Sequence, residues 1–368
     1  MSLASDFPKT FDVYTKGQDR GLHLGMQIYA SRKGETILDE AVGFSDKIGR
    51  ELKHDDLMLW MSASKPIGAI AIAQLMESGH LTYDELVADT ISEFGQLGKG
   101  PVTIRHLLTH TSGFPNVPMP MARDHWNDII MTICDTPLEE GWVVGESAGY
   151  HPHSSWYILA EILQRKLGVS FSSYVRDRIF LSLEMENCWI GMTPEAWSAY
   201  EGRIAPTFNT FRSASDNLKF HAEGSVTACI PGGNGRGPMR ELAILYETLL
   251  NEGIGNTHRI LKTETIDDMT HRHRTDQCDT TFGHKIDWGL GFIPNSNKYG
   301  AQTVPYGYGL HSSDEAYGHG GSQSVGSMAD PAHDLVVCVA FNGMPGEPQH
   351  NLRIKKLMTA LYEDLLID

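Results

Sequence analysis

The sequence has few cysteines and little positive charge, which argues against a disulfide-rich protein and against a nucleic-acid-binding protein. Its cysteines lie at positions 134, 188, 229, 278 and 338, an odd number without regular spacing. This pattern argues against a disulfide framework and favours reduced, buried thiols in a cytoplasmic protein. The 30 Lys and Arg residues, against 46 Asp and Glu, give a formal charge of −16 and form no basic stripe. We therefore predict that the chain binds no nucleic acid.

Long apolar runs are also missing. No stretch approaches the length that spans a bilayer, so we expect no membrane partner. Residues 1 to 6 lack a basic segment followed by a long apolar run, and a secretory signal is therefore not visible. The 368 residues contain no repeats, no low-complexity tract and no long linker, and they suffice to bury a substantial core. These features favour a soluble enzyme.

Among the possible functional sites in the sequence, a metal site has the least support. His271, His273, Cys278 and Asp279 resemble a ligand cluster, but their spacing fits no structural zinc pattern. We predict no metal and no other cofactor. The segment from 272 to 285 is interpreted as a solvated basic loop near the active site, and a lid or substrate-selecting segment is the alternative.

The most informative stretch is Ser62-Ala63-Ser64-Lys65, which precedes an apolar, Ala-rich helical run. Pro66 is tolerated only in a first helical turn, so the helix is expected to begin at or just before Ser62. Residues three apart share a helix face, and Lys65 then reaches the Ser62 hydroxyl. Burial lets a lysine lose its proton at neutral pH and activate a serine. The pattern therefore predicts a nucleophile with its own base; a capped helix with a solvated lysine is the alternative.

A competing nucleophile lies at Ser147, within a Gly-x-Ser-x-Gly match at residues 145 to 149. This motif is the nucleophile elbow of α/β-hydrolases, which needs a buried strand before it and a helix directly after it. The apolar run before it is short, and Pro152 would fall inside the required helix. We therefore interpret Ser147 as a loop residue, and keep an α/β-hydrolase esterase as an alternative.

Three further segments occur in a familiar order. The segment 104 to 113 reads Ile-Arg-His-Leu-Leu-Thr-His-Thr-Ser-Gly, Tyr150-His151-Pro152 precedes a helical run, and His319-Gly320-Gly321 precedes a short Ser-rich stretch. With Ser62-x-x-Lys65, they resemble the motifs of the serine β-lactamase and penicillin-binding-protein superfamily. The likeness is greatest to its class C-like branch, which includes family VIII-type carboxylesterases and transesterases. The resemblance extends from about residue 25 to residue 342. Segments 231 to 235 and 288 to 291 also resemble segments of this family.

The resemblance implies a role for each matching residue. Ser62 would be the nucleophile and Lys65 its proton partner. Tyr150 would act as general acid and base, a role whose efficiency depends on a lowered phenol pKa. The backbone N–H groups of Ser62 and Ser322 would form the oxyanion hole. The residues expected to contact the substrate are His319, Gly320, Gly321, Trp60, His151 and Trp288.

Departures from the family pattern indicate the substrate class. The class C-like enzymes that cleave penicillins commonly carry Asn where this chain has Pro152, and the third motif commonly has Lys where this chain has His319. An amide contact and a fixed cation are therefore missing, which favours esters. We predict a carboxylesterase or acyl transferase that takes a small-molecule ester as acyl donor, and an alcohol or amine as acceptor in the second case. A β-lactamase or D-peptidase remains an alternative, and a non-catalytic acyl-ligand-binding protein is disfavoured by the intact catalytic residues.

The family resemblance also implies an α/β (α+β) fold, with a mainly antiparallel sheet flanked by helices. We expect residues 1–80 and 225–368 to form the sheet domain and residues 81–224 a mostly helical domain, with the site in the cleft between them. Alternation predicts a hairpin over residues 22–44, and the segments 325–330 and 335–341 are predicted to bracket a second turn at residues 330–334. Amphipathic periodicity predicts helices at 239–250 and 351–366.

Overall fold

A computed structural model of the protein describes residues 2–117, 125–211, 216–256 and 258–367. The strands are β1 (Gly25–Arg32), β2 (Glu35–Gly43), β3 (Met58–Met61), β4 (Thr207–Asn209), β5 (Asp216–Leu218), β6 (Gly235–Gly237), β7 (Cys278–Asp279), β8 (His284–Lys285), β9 (Ile293–Pro294), β10 (Tyr317–Gly321), β11 (Val325–Asp330), β12 (Leu335–Phe341) and β13 (Gly343–Met344). The helices are α1 (Leu3–Asp6), α2 (Pro8–Asp19), α3 (Lys65–Glu77), α4 (Val87–Thr90), α5 (Ile104–Leu108), α6 (Trp126–Asp135), α7 (Ser154–Leu167), α8 (Phe171–Val175), α9 (Pro194–Tyr200), α10 (Glu223–Thr227), α11 (Met239–Leu250), α12 (Thr263–Thr270) and α13 (Glu347–Asp364).

The main sheet has the strand order β2-β1-β12-β11-β10-β9, and its strand pairs are antiparallel. The predicted hairpin is confirmed as β1 and β2, which turn at Lys33 and Gly34, and β11 and β12 flank the second predicted turn. Helix α11 has the predicted bounds, whereas α13 begins four residues earlier than predicted. The predicted fold class, an antiparallel sheet flanked by helices, is confirmed.

Both faces of the sheet are covered, which explains why β12 is an unbroken apolar run. Successive side chains of a strand point to opposite faces. Val337 and Val339 belong to the cluster that contains Leu357 of α13, whereas Cys338 belongs to the cluster that contains Tyr246 of α11. Helices α11 and α13 thus cover opposite faces of the sheet. Strand β10, which carries the third motif, belongs to the same sheet.

The domain boundaries at residues 80 and 224 stay a prediction. The region 81–224 contains many of the helices, but it also contributes β4 and β5 to a small sheet whose third strand is β13. Strands from both predicted domains therefore pair in this small sheet. No helix in the described ranges is long and apolar enough to cross a bilayer.

The cysteines are unpaired, in line with the predicted absence of disulfides. Cys134, Cys188 and Cys338 are buried, as expected. The expectation of burial is wrong for Cys278, which is exposed, and Cys229 is only half-buried. The compartment stays a prediction.

Candidate active site

Ser62 lies where strand β3 turns sharply into helix α3. The residue before it, Met61, has a φ of +50°, a left-handed conformation that costs a residue with a Cβ and is often found at functional sites. Ser62 to Ser64 form one 3₁₀ turn, so the predicted start of the helix is confirmed. The Ser64 hydroxyl donates to the Met61 carbonyl at 2.6 Å and accepts from the Gly235 N–H at 2.9 Å. These bonds fix the turn and leave Ser62 half-exposed.

Lys65 is fully buried, with its Nζ at the centre of three polar atoms. Nζ lies 2.7 Å from the Gly232 carbonyl oxygen, 2.8 Å from the Pro152 carbonyl oxygen and 3.1 Å from Ser62 Oγ. Burial holds the pKa of Lys65 well below its ordinary value of 10.5. A neutral amine has two N–H donors and one lone pair. In the neutral form of Lys65 the two carbonyls, which can only accept, take the two donors, and the lone pair faces Ser62 Oγ.

Tyr150 lies beside this pair and is 8% exposed. Lys65 Nζ lies 5.1 Å from the centre of the Tyr150 ring. Burial raises the pKa of the Tyr150 phenol above its usual value of 10, and a hydrogen bond to Ser62 only partly offsets this. The expectation of a lowered phenol pKa is therefore wrong for the free protein, because it ignored desolvation. At neutral pH Tyr150 carries its proton and is a hydrogen donor.

A buried ion pair holds the backbone of Tyr150 in place. Asp279 Oδ1 accepts from the Tyr150 N–H at 3.0 Å, and Asp279 Oδ2 accepts from Arg274 Nη2 at 2.9 Å. Arg274 also donates to the Thr109 carbonyl at 3.0 Å. Neither side chain of the pair is more than 2% exposed. The interpretation of residues 272–285 as a solvated loop is therefore wrong for Arg274 and Asp279, which connect this segment to Tyr150.

Strand β10 brings the third motif against the turn that carries Ser62. A Cβ on Gly321 would lie 2.2 Å from the Trp60 carbonyl oxygen, so only glycine lets the backbone approach this closely. The next residue, Ser322, therefore follows directly beyond the turn that carries Ser62. The structure brings Ser62, Lys65 and Tyr150 together. The catalytic roles of these residues and the oxyanion hole at Ser62 and Ser322 stay predictions.

His319 is 2% exposed and uncharged. Burial, and to a lesser degree the charge of Lys65, lower the pKa of His319 to about 3. Its Nδ1 lies 2.7 Å from the Gly320 carbonyl oxygen, which can only accept, so Nδ1 carries the ring hydrogen. This site position therefore offers no fixed cation, in agreement with the sequence.

The other residues predicted to contact the substrate are packed into the walls. Trp60 and His151 are fully buried: Trp60 Nε1 donates to the Gly237 carbonyl at 3.0 Å, and His151 Nε2 accepts from the Phe114 N–H at 3.1 Å. Trp288 is also fully buried, and its ring stacks on Tyr150 with centroids 5.6 Å apart. These contacts position the turn that carries Ser62, the segment after α5 and Tyr150. Direct contact of Trp60, His151 or Trp288 with a ligand stays a prediction.

The alternative nucleophile has no elbow geometry. Ser147 lies in an irregular loop without a preceding strand, and α7 begins only at Ser154. Its Oγ accepts from the Val143 N–H at 3.1 Å, which stabilises the loop itself. The α/β-hydrolase alternative is wrong, because the surrounding sheet is antiparallel and the strand–turn–helix unit is missing. Within the described residues, no group of three His, Cys, Asp or Glu side chains is arranged to hold a metal ion.

Sequence reasoning missed the groups that act through their backbone or from a distance. The carbonyls of Pro152 and Gly232 bind Lys65 from positions 87 and 167 residues away in the chain. Gly232 lies in a segment noted as familial, but its role was not predicted. Asp279 was considered only as a metal ligand, and Glu347 has no local signal in the sequence. Glu347 contacts the site by accepting a hydrogen bond from Ser322 Oγ at 2.6 Å.

Comparison with known proteins agrees with this arrangement. The beta-lactamase family model matches residues 12–360. Esterase EstB of Burkholderia gladioli is 28% identical over 225 residues, which cover 56% of this chain and 57% of EstB. The chain spans between about a third and two thirds of the length of the first curated relatives it matches.

Solved structures extend the likeness to nearly the whole chain. A penicillin-binding protein homologue from Caulobacter crescentus has 26% identity and a TM-score of 0.79, covering 98% of each chain. A family VIII carboxylesterase has 24% identity and a TM-score of 0.80, again covering 98% of each chain, which shows a shared fold. The chain, with its Ser62 turn, buried lysine and closely packed third motif, belongs to the beta-lactamase family.

Proposed function

We propose that this protein is a serine hydrolase that cleaves carboxylic esters through an acyl-enzyme on Ser62. One observation carries the proposal: the carbonyls of Pro152 and Gly232 occupy two of the three free directions around Lys65 Nζ, and Ser62 Oγ occupies the third. A neutral amine in this position presents its lone pair to the hydroxyl hydrogen. Lys65 is thereby a base for Ser62 rather than a surface charge.

In acylation, Ser62 Oγ forms a bond to the ester carbonyl carbon while its proton moves to Lys65 Nζ. The carbonyl electrons move onto the oxygen, which accepts hydrogen bonds from the N–H groups of Ser62 and Ser322. The intermediate then expels the alkoxide, which takes the proton of Tyr150. The lysine ammonium returns its proton to the tyrosine, so the acyl-enzyme forms with Lys65 neutral and Tyr150 protonated.

The raised pKa of Tyr150 is compatible with this order of events. The free site holds a protonated phenol, which is the form that a general acid needs. When Lys65 gains a proton, a positive charge appears 5.1 Å from the centre of the phenol ring and favours the phenolate. The tyrosine thus becomes a better acid at the moment when the leaving group needs a proton. Deacylation reverses the roles, with water, an alcohol or an amine as acceptor.

Two observations favour esters over β-lactams and D-peptides. Substrates of the latter kinds carry a carboxylate, and neutral His319 supplies no cation for it. Pro152 has no side-chain amide to bind the amide of a substrate. The similarity to esterase EstB supports the same choice, whereas the similarity to a penicillin-binding protein homologue keeps peptide cleavage as the second candidate.

The experiment compares kcat/KM for p-nitrophenyl butyrate, butyryl p-nitroanilide, nitrocefin and a D-Ala-D-Ala peptide. Wild type, Ser62→Ala and Ser147→Ala are assayed in parallel. We expect the ester to be the best substrate, with activity lost in Ser62→Ala and kept in Ser147→Ala. A higher kcat/KM for the β-lactam or the peptide would contradict the ester assignment, and loss of activity only in Ser147→Ala would contradict the nucleophile.

A further inference from the structure

A carboxylate lies against the proposed oxyanion hole, and the reaction described above does not use it. Glu347 is the first residue of α13 and is half-exposed. Its Oε1 accepts from Ser322 Oγ at 2.6 Å, and its Oε2 accepts from Tyr306 Oη at 2.7 Å. One carboxylate oxygen is therefore held at Ser322, whose backbone N–H is assigned to the oxyanion, and the other is held by Tyr306.

The charge of Glu347 has no cationic partner among the described residues, since none of their ion pairs includes it. The nearest members of the site do not supply one either. Burial lowers the pKa of His319 to about 3, so this ring is neutral at pH 7, and burial also disfavours the charged form of Lys65. Glu347 therefore places a negative charge beside the site that no ion pair among the described residues offsets, and the chain's net charge of −16 has the same sign.

A row of aromatic rings connects this carboxylate to the catalytic tyrosine. The ring of Tyr306, whose hydroxyl binds Glu347, lies 5.6 Å from the ring of Phe282, and Phe282 lies 5.0 Å from Tyr150. Phe282 and Tyr306 are partly exposed. Aromatic faces combined with an anion are the groups that bind quaternary ammonium ions in proteins.

A second acceptor in the site has no partner. Since the Nδ1 hydrogen of neutral His319 faces the Gly320 carbonyl, its Nε2 is a lone pair, and this atom is buried and forms no hydrogen bond among the described residues. Its ring lies 6.2 Å from that of Tyr150. As an acceptor, Nε2 offers no hydrogen bond to a substrate carboxylate.

We propose that Glu347, with the rings of Phe282 and Tyr306, selects esters that carry a quaternary ammonium group and disfavours esters that carry a carboxylate. The inference rests on the proposed ester hydrolysis at Ser62 and specifies its substrate class. The cation lies over the aromatic row and neutralises the carboxylate. An anionic ester in the same place meets an uncompensated negative charge in a partly desolvated site.

The test uses acetylcholine and its uncharged isostere, 3,3-dimethylbutyl acetate, with 4-acetoxybutanoate as the anionic ester. Acid release is followed by pH-stat titration, and the ratio of kcat/KM for the cationic over the neutral ester is the readout. We expect a ratio of about ten in the wild type. It should fall to near one in Glu347→Gln and remain near ten in Glu347→Asp. Glu35→Gln, which removes one charge from an exposed position of the β1–β2 hairpin, is the matched control and should keep the wild-type ratio.

A wild-type ratio near one, with Ser62-dependent hydrolysis of the neutral ester, would overturn this inference and leave the proposed function standing. A high ratio that persists in Glu347→Gln would also overturn it. Wild-type protein that cleaves none of these esters and no p-nitrophenyl butyrate would overturn the proposed function and the inference together. If Glu347→Gln does not fold, the wild-type ratio and the Glu347→Asp ratio decide.

Discussion

Replacing Lys65 by methionine tests whether this lysine is neutral in the folded protein. Its pKa is well below 10.5 when folded and near 10.5 when unfolded. Between these two values the unfolded chain binds more protons than the folded one, so the free energy of unfolding rises with pH. The contribution of Lys65 is complete above pH 10.5 and is lost as the pH falls through the folded pKa. Lys65→Met removes this pH dependence.

The magnitude follows from the linkage relation. Each pH unit within the window changes the free energy of unfolding by about 1.4 kcal/mol. If Lys65 is neutral throughout the range from pH 8 to pH 10, the wild type gains about 2.5 kcal/mol relative to the variant. Met is close to Lys in volume, but it leaves the carbonyls of Pro152 and Gly232 without donors, at a cost of roughly 1–3 kcal/mol each. That cost is the same at each pH, so it does not change how the free energy of unfolding varies with pH.

The assay is urea unfolding at pH 8, 9 and 10, with Lys47→Met as the control because Lys47 is exposed. The difference between wild type and Lys65→Met should grow with pH, whereas the difference between wild type and Lys47→Met should stay constant. The same Lys65→Met protein should lose activity by roughly 10²–10⁴-fold. A constant difference between wild type and Lys65→Met across this range would show that Lys65 remains charged when folded and would refute its role as a base.

Three further substitutions test the remaining parts of the site. Tyr150→Phe removes the general acid, so kcat for p-nitrophenyl butyrate should fall roughly 10²–10⁴-fold; an unchanged kcat would exclude Tyr150 from proton transfer. Gly321→Ala pushes β10 away from the Trp60 carbonyl and should lower kcat by about 10²–10³-fold, while Gly224→Ala, at a position where a Cβ meets no atom within 4 Å, should match the wild type. Asp279→Asn breaks the buried pair with Arg274 and should lower the free energy of unfolding by about 3–5 kcal/mol in a urea titration; a loss below 1 kcal/mol would contradict its anchoring role.

The parts of the site that the sequence predicts correctly depend on neighbouring residues. Ser62 and Lys65 are three positions apart, and helix geometry alone brings them to one face. The hairpin predicted around β1 likewise depends only on successive side chains and a short turn. The resemblance to known motifs then links these local features to Tyr150 and Ser322, which no local rule connects to Ser62.

The parts that failed depend on burial, which no short pattern reveals. The general acid–base role assigned to Tyr150 called for a lowered phenol pKa, but desolvation raises it in the folded protein. Arg274 and Asp279 look like solvated loop residues in the sequence, and only the packed structure shows that they are a buried pair. Glu347 is 25 residues away from Ser322 in the chain, so its contact with the site depends on the position of α13 on the sheet.

Mass spectrometry of the acyl-enzyme tests the central claim most directly. Wild type, Ser62→Ala and Lys65→Met are mixed with p-nitrophenyl butyrate, quenched with acid within the first turnovers and digested for peptide mapping. The account predicts a butyryl group on Ser62 in the wild type, a much slower increase of the same adduct in Lys65→Met, and no adduct in Ser62→Ala. A butyryl group on Ser147 or on any other residue, with Ser62 unmodified while the ester is hydrolysed, would contradict it.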